Sequence, residues 1–453
     1  MDQTTFTYKR LESARNIRIL RLEHGQVNDE IKCSLEHVSL DGDYPEYEAI
    51  SYAWGDKTRS CQVVLDGAKC NITASLFSAL KHFRKPSEAR ILWADALCID
   101  QESNGEKTHQ VKRMAEIYSS AQRVLVWLGP DAESLENFVP SMSEVINFLL
   151  EKYSERERPQ QMLAPLTPSQ REQVLGFKWK HILPVFDRPW FTRKWVVQEL
   201  SLAKEAMICY GFRSIPAETL GIGLKMPLKV WGMSNKILDQ FLDIRHKINN
   251  GLDLLNQYCM RRYTDDDPVG LLDLLCYTSN FQCTEQLDHF YSLLGLVDAK
   301  PFEPDYACDF LDLCLRFAQW HLVDQQNGRI LSEIDNPKTA GLPSWALNVS
   351  KLQKAANLDI LKPGSSAGGN DSSEFKLSSD GNILMFPGKI IDTIINYEPI
   401  YARVSPLRPL QSPPAEFKPL WALYCHQTDS NSFGVQLYVT WTLDVVWRVP
   451  VRL

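Results

Sequence analysis

A chain of 453 residues and 51.9 kDa exceeds one typical domain, so two or three folded units are expected. With 44% hydrophobic and 23% charged residues it can bury real cores. A formal net charge of -7 argues against nucleic acid as the main partner, because a phosphate-binding surface needs clustered Lys and Arg. No apolar run approaches the ~18 residues of a membrane span, and the N-terminal stretch MDQTTFTYKRLESARNIRIL holds no signal-peptide core, so neither feature is expected.

The chain opens on strand patterns at 17–22 and 31–35, separated by the turn residues Gly25 and Asn28. Residues 48–55 (EAISYAWG) form a short apolar run halted by Gly55-Asp56, as suits a buried strand entering a loop. Segments 61–65 and 68–72, joined by Asp66-Gly67, read as a hairpin, since Asp-Gly supplies the positive φ angles of a two-residue turn. Thr73 is placed to cap a helix carrying Leu76, Leu80 and Phe83 on one face. A buried strand is expected over 90–99. Ser103 and Glu106 then suggest a capping box before a helix with Val111, Met114, Ala115 and Tyr118 in register. Residues 124–128 read as a strand closed by Gly129-Pro130. Short buried strands alternating with amphipathic helices predict an α/β fold, with a largely parallel sheet covered on both faces.

Residues 131–187 differ in kind and read as a polar, helical insertion. Alternation resumes with a helix over 193–204, capped by Thr192, and a strand over 206–210 ending at Gly211. Further on the pattern is mainly helical, with Asp267-Pro268 marking a helix start before Leu271. Composition shifts to Gly, Ser and Asp over 357–380, as in a linker, and 383–394 is strand-like. The last ~50 residues show no clear periodicity. The expected organisation is therefore N-terminal strands over 1–46 packing on a main domain at 47–211, a helical region at 212–355, and a linker with a strand-containing segment at 356–453.

Metal and acyl-transfer chemistry find little support. The 11 cysteines form no C-x-x-C pair, the nine histidines show no metal spacing, and Gly-x-Ser-x-Gly is missing. Cys33, Cys61, Cys70, Cys98 and Cys209 sit in apolar segments, and the cysteines read as reduced, mostly buried thiols of a cytosolic protein.

Three segments concentrate tryptophan beside carboxylate, arginine and amide groups: YEAISYAWGD at 47–56, LWADALCIDQ at 92–101, and RPWFTRKWVVQEL at 188–200. Together they resemble the HET (heterokaryon incompatibility) domain family of filamentous fungi. Order and spacing agree over 17–211, with Ala94 and Asp100 where the family often carries Ile and Asn. Weaker similarity continues in DHFYSLLGLV at 288–297, in Pro304-Asp305-Tyr306, and in LPSW at 342–345; residues 283–287 lack the arginine and Asp-Pro-Arg expected before the first of these. HET domains are in turn similar to TIR domains, flavodoxin-like modules of innate immunity, some of which cleave NAD. Ser51-Tyr52-Ala53-Trp54-Gly55 resembles the TIR first strand, Trp93-Ala94-Asp95 the end of the second, and Trp195-Val196-Val197-Gln198-Glu199-Leu200 the segment bearing the catalytic glutamate, with Val196 in place of its cysteine.

The resemblance implies a TIR-like sheet flanked by helices. It implies a cytoplasmic role in non-self recognition and programmed cell death, with protein partners that include products of incompatibility alleles and with self-assembly as a further option. Glu199 becomes the candidate catalytic residue, and Ser51, Trp54, Gly55, Asp95, Arg188, Trp190 and Trp195 the candidate ligand-binding residues. No cofactor is required, and NAD enters as a substrate. On a helix over 193–204, Val196, Leu200 and Ala203 would face the sheet, leaving Glu199 at the margin and partly desolvated. A carboxylate there could stabilise the oxocarbenium-like centre formed when the nicotinamide–ribose bond breaks. Two other readings stand beside it: a non-catalytic interaction module in which Glu199 pairs with Arg193 or Arg188 and anchors the helix, and a regulator carried beside unrelated metabolic genes.

Overall fold

The computed structural model describes residues 6–13, 15–56, 58–130, 136–153, 166–263, 270–334, 339–352, 375–379, 381, 383–385, 439–442 and 445–448. Two compact units divide the chain, Met1–Cys308 and Asp309–Leu453.

The first unit is built on one mixed sheet of nine strands. In chain order these are β1 (Asn16–Leu22), β2 (Lys32–Ser39), β3 (Glu48–Tyr52), β4 (Cys61–Leu65), β5 (Ala68–Ile72), β6 (Arg90–Trp93), β7 (Arg123–Trp127), β8 (Ala206–Tyr210) and β9 (Arg213–Pro216). The spatial order is β5-β4-β2-β1-β6-β3-β7-β8-β9. Strands β6, β3, β7 and β8 run parallel to their neighbours in this central block. Outside that block the expected parallel pairing recurs between β2 and β4, and the rest of the sheet is antiparallel. β1 pairs antiparallel with both β2 and β6, and the hairpins β4-β5 and β8-β9 add antiparallel edges. A hairpin joins neighbouring strands in a few residues, whereas a parallel neighbour needs a long crossover, so the short connections at the edges dictate antiparallel pairing.

Ala49, Ile50, Ser51 and Tyr52 are buried in succession, as are Val124 to Trp127, so both faces of the central strands are covered. The Asp66-Gly67 turn has positive φ at both residues and closes β4-β5 as the dipeptide predicts. Thr73 caps α1 (Ala74–Phe83), whose Leu76, Leu80 and Phe83 are buried. A single turn, α2 (Asp95–Cys98), follows β6, and α3 (Asn104–Ser120) follows it. Ser103 accepts from the Glu106 N–H, but the Glu106 carboxylate does not complete the box. It pairs with Arg18 and accepts from the Asp100 N–H at 2.7 Å, a tertiary use that outcompetes the local one.

Within 131–187 the described residues form α4 (Phe138–Tyr153), α5 (Pro168–Gly176) and α6 (Trp179–Ile182). The helix expected over 193–204 is much shorter. Thr192 ends a 3-10 turn (Pro189–Thr192) instead of capping a helix, and α7 spans only Val196–Ser201. After β9 come α8 (Ala217–Lys225), α9 (Ser234–Leu238), α10 (Arg245–Tyr263), α11 (Leu271–Tyr277) and α12 (Asp288–Tyr291). The expected helix-start pair Asp267-Pro268 lies outside the described residues. α10 runs close beneath the 3-10 turn: a Cβ on Gly251 would lie 2.1 Å from the Phe186 ring and 3.1 Å from Phe191.

The second unit contains α13 (Phe310–Gln319), with Leu313, Cys314 and Phe317 buried, and the short pair β10 (Lys376–Leu377) with β11 (Leu384–Met385). β12 (Val439–Thr442) pairs antiparallel with β13 (Val445–Arg448). Most of the expected linker and of the strand-like 383–394 lies outside the described residues. No helix among the described residues is long and apolar enough to cross a membrane.

Candidate functional site

Parallel strands end together at one rim of the sheet, and side chains distant in sequence meet there. β3 delivers Ser51 and Tyr52, β6 delivers Asp95 just past its end, and the turn Pro189–Thr192 with α7 delivers Trp190, Arg193 and Glu199. In open α/β sheets the carboxyl ends of the strands are the usual ligand edge, because helix starts and loops diverge there.

Ser51 sits at the centre. Its hydroxyl donates to Glu199 Oε2 and accepts from the Trp190 indole N–H at 2.7 Å. Glu199 is 1% exposed, so the expected position at the margin is corrected to full burial. The reason is the short α7, which docks Val196, Val197, Gln198, Glu199 and Leu200 all inward rather than along one stripe. Arg193 lies 3.7 Å from Glu199 Oε1, keeps 21% of its side chain exposed, and donates to the Tyr52 carbonyl at 2.5 Å. Trp54 donates its indole N–H to Asp95 Oδ2 at 2.9 Å, and both are part-exposed, forming the outer side of the cluster. Gly55 turns the chain after Trp54 at φ +67, a backbone conformation that side chains resist.

The electrostatics follow from burial. Burial is the largest influence on Glu199 and pushes its carboxyl above its usual range; Arg193 and the Ser51 hydrogen bond pull the other way, and Asp95 adds to the rise. Asp95 is raised by the same cause, opposed by Arg193 and then by the Trp54 N–H. One guanidinium thus opposes the burial that raises both carboxyls. The Tyr52 hydroxyl is buried beside the Asp95 carboxyl and interacts with it, whereas Arg188 Nη2 is buried without a hydrogen-bond partner. Arg188 Nη1 lies against Gly129 at the end of β7.

Of the residues singled out in the sequence, Ser51, Trp190 and Glu199 form one bonded set, and Trp54 and Asp95 a second set beside it through Arg193. Arg188 stands at the ends of β7 and β8. Trp195 points elsewhere: its indole N–H donates to Asp288 Oδ2 at 2.9 Å, so it does not join this set. Arg193, in the sequence only a possible anchor for Glu199, pairs with Glu199 and lowers Asp95 through its charge. Tyr52 lies in the motif, and its buried hydroxyl beside Asp95 is visible only in the folded chain. A small concavity lies by Gln198, Lys112 and Glu303 and shares no lining residue with the Ser51 cluster.

Burial pushes the Cys33, Cys98 and Cys209 thiols up to about 12, as fits inert packing groups. Cys61 and Cys70 are only half-buried, because the β4-β5 hairpin lies at the sheet edge. Among the described residues, no group of three or more His, Cys, Asp or Glu is placed to hold a metal ion.

These features define an α/β module with a buried Ser–Glu–Arg cluster at the carboxyl ends of parallel strands. The sequence profile of the heterokaryon incompatibility protein (HET) family matches residues 47–199, which spans every member of that cluster. Residues 47–199, about a third of the chain, thus carry a match to the HET domain. It is similar to heterokaryon incompatibility protein 6, OR allele, of Neurospora crassa, at 30% identity over 45% of this chain and 34% of the relative. The alignment therefore spans about a third of the length of that curated relative. No solved structure matches.

Proposed function

We propose that this chain acts in fungal incompatibility, as a cytoplasmic protein of non-self recognition and programmed cell death, and that its HET domain signals by TIR-like cleavage of NAD at Glu199. The observation that carries the reading is the buried Glu199 carboxyl, held by Ser51 and Arg193 at the ligand edge of the sheet. A helix needs no buried carboxylate to dock on a sheet, and ionisable groups with perturbed pKa values gathered at such an edge are the usual mark of chemistry.

In this reading the bond between ribose C1′ and the nicotinamide nitrogen breaks and its electron pair leaves with nicotinamide. Ionised Glu199 stabilises the positive centre at C1′ or attacks it, and water completes the hydrolysis to ADP-ribose and a proton. Arg193 favours the ionised carboxylate that this step needs. The unpartnered Arg188 Nη2 is free to meet a phosphate oxygen. With Glu199 1% exposed and paired with Arg193, substrate reaches it only after the cluster opens. NAD is a substrate here and no cofactor is invoked. Products of incompatibility alleles, and further copies of this chain, are the proposed partners.

One observation favours a second, non-catalytic reading: both Glu199 oxygens face protein groups, Ser51 on one and Arg193 on the other, as in an anchor. Expression of the wild type and Glu199→Gln in yeast separates the two, with cellular NAD and viability as readouts. Gln keeps the acceptor for Ser51 but cannot ionise. Toxicity with falling NAD that Gln abolishes supports the enzyme; toxicity with steady NAD in both supports signalling by contact.

A further inference from the structure

The helix that carries Glu199 cannot place itself. α7 has 6 residues, far below the ~12–15 at which an isolated helix becomes even marginal, so its position comes from tertiary contacts. Part of that hold is the apolar packing of Val196, Val197 and Leu200. Beyond the Ser51 and Arg193 contacts to Glu199 itself, a further set of polar ties comes from residues 278–306, which lie beyond the family match.

Four ties can be named. The chain entering α7 is pinned where Gln282 donates its N–H to the Thr192 carbonyl at 2.6 Å and accepts from the Lys194 N–H at 2.8 Å. Lys194 Nζ donates to the Thr278 carbonyl at 3.2 Å. Gln198, next to Glu199, accepts the Gly295 N–H at 3.0 Å. That approach needs glycine, because a Cβ on residue 295 would lie 2.3 Å from Gln198 Oε1 and 2.6 Å from the Ala115 Cβ. The fourth tie is the most selective. Asp288 takes the Trp195 indole N–H on Oδ2 at 2.9 Å and the Tyr306 hydroxyl on Oδ1 at 2.6 Å. Trp195 is the N-cap of α7, and its carbonyl accepts the Glu199 N–H at 3.1 Å.

We propose that Asp288 is a positioning residue for Glu199, acting through Trp195, and that residues 278–306 are a working part of the site. This deepens the reading of Glu199 as the reacting carboxylate and rests on it for the kinetic consequence alone; the mechanical claim stands on the contacts above. Docking by apolar contact would not require a buried carboxylate that accepts from two donors at once. Such a group fixes the indole in one orientation, and with it the first residue of the helix.

The test uses the purified full chain as wild type, Asp288→Ala, Asp288→Asn and Tyr306→Phe. Amide hydrogen exchange over α7 is expected to rise at least ~10-fold in Asp288→Ala and less in Asp288→Asn, which retains one acceptor, while β3 and β7 exchange as in the wild type. Where NAD is turned over, kcat falls about 10-fold with KM within about 2-fold, and Asn restores part of the loss. Should Asp288→Ala fail to fold, Tyr306→Phe removes one of the two donors and is expected to shift α7 exchange in the same direction. Unchanged exchange over α7 in the folded variants overturns the proposal. A wild type without NAD turnover sinks the enzymatic reading instead, and the exchange comparison alone then decides whether Asp288 positions the helix.

Discussion

Replacing Ser51 with alanine isolates the hinge of the cluster. The substitution deletes one oxygen that serves both the Glu199 carboxylate and the Trp190 indole N–H, in surroundings where Ser51 and Glu199 are each 1% exposed. A hydrogen bond to a charged group contributes about 1.5–3 kcal/mol, and leaving a buried donor unsatisfied costs about 1–3 kcal/mol. Both effects run through the same hydroxyl and do not add fully, so a loss of ~3 kcal/mol at neutral pH is expected. The pH dependence carries a definite sign. The folded-state pKa of Glu199 is raised, so its contribution to stability is greatest below the ordinary carboxylate pKa of 4.5 and falls as pH rises through the folded value. Removing the Ser51 donor raises the folded value further. The penalty of Ser51→Ala should therefore grow from acid toward neutral pH. Urea titrations at several pH values, with exposed Ser60→Ala as control, read it directly: the midpoint drops while the m-value stays constant. A midpoint shift worth less than ~0.5 kcal/mol at pH 7 would refute the idea that Ser51 holds the carboxylate.

Two further substitutions probe buried charge in the first unit. Lys194 is 1% exposed and burial pushes its ammonium down to about 8 from 10.5, so the stability this group confers is present above 10.5 and is lost as pH falls through about 8. Lys194→Met should be the more stable protein at pH 7, by up to ~3 kcal/mol, with the advantage vanishing near pH 10. The Thr278 carbonyl keeps the Phe281 N–H at 3.0 Å and is not orphaned, and melting at pH 7 and pH 10 is the comparison to make. Glu106→Ala should cost about 3–5 kcal/mol, because it strands the Arg18 guanidinium, 1% exposed, without its carboxylate. Replacing the pair together by Met and Leu should recover most of that loss, and a Glu106→Ala variant that melts like the wild type would show that Arg18 needs no such partner.

Local structure was legible wherever a few adjacent residues decide it. The Asp66-Gly67 turn demands positive φ from its own two residues, and Thr73 caps α1 with a side chain only three residues from its donor. The three tryptophan-rich segments carried the family resemblance; Ser51, Trp190 and Glu199 meet, as do Trp54 and Asp95, while Trp195 turns to Asp288. What adjacent residues cannot encode is competition from afar. Glu106 has the spacing of a capping box, yet its carboxylate goes to Arg18, because neutralising a buried guanidinium is worth more than a second local hydrogen bond. Thr192 has the composition of a cap, but Gln282 claims its carbonyl and α7 starts later. The insertion of β1 between β2 and β6 was equally hidden, since strand order depends on which edges the connections can reach.

By itself, then, the order of amino acids determined most local elements, the family resemblance, and which residue types would furnish the site. The tertiary structure alone decided their pairing. Ser51 and Glu199 are 148 positions apart, and they meet because β3 lies between β6 and β7 and the 278–306 segment presses α7 against that strand's end. Periodicity reports the face a side chain turns within its own element. Whether a carboxyl is exposed, paired or sealed depends on neighbours from the rest of the chain, and through them on the dielectric and the donors it meets.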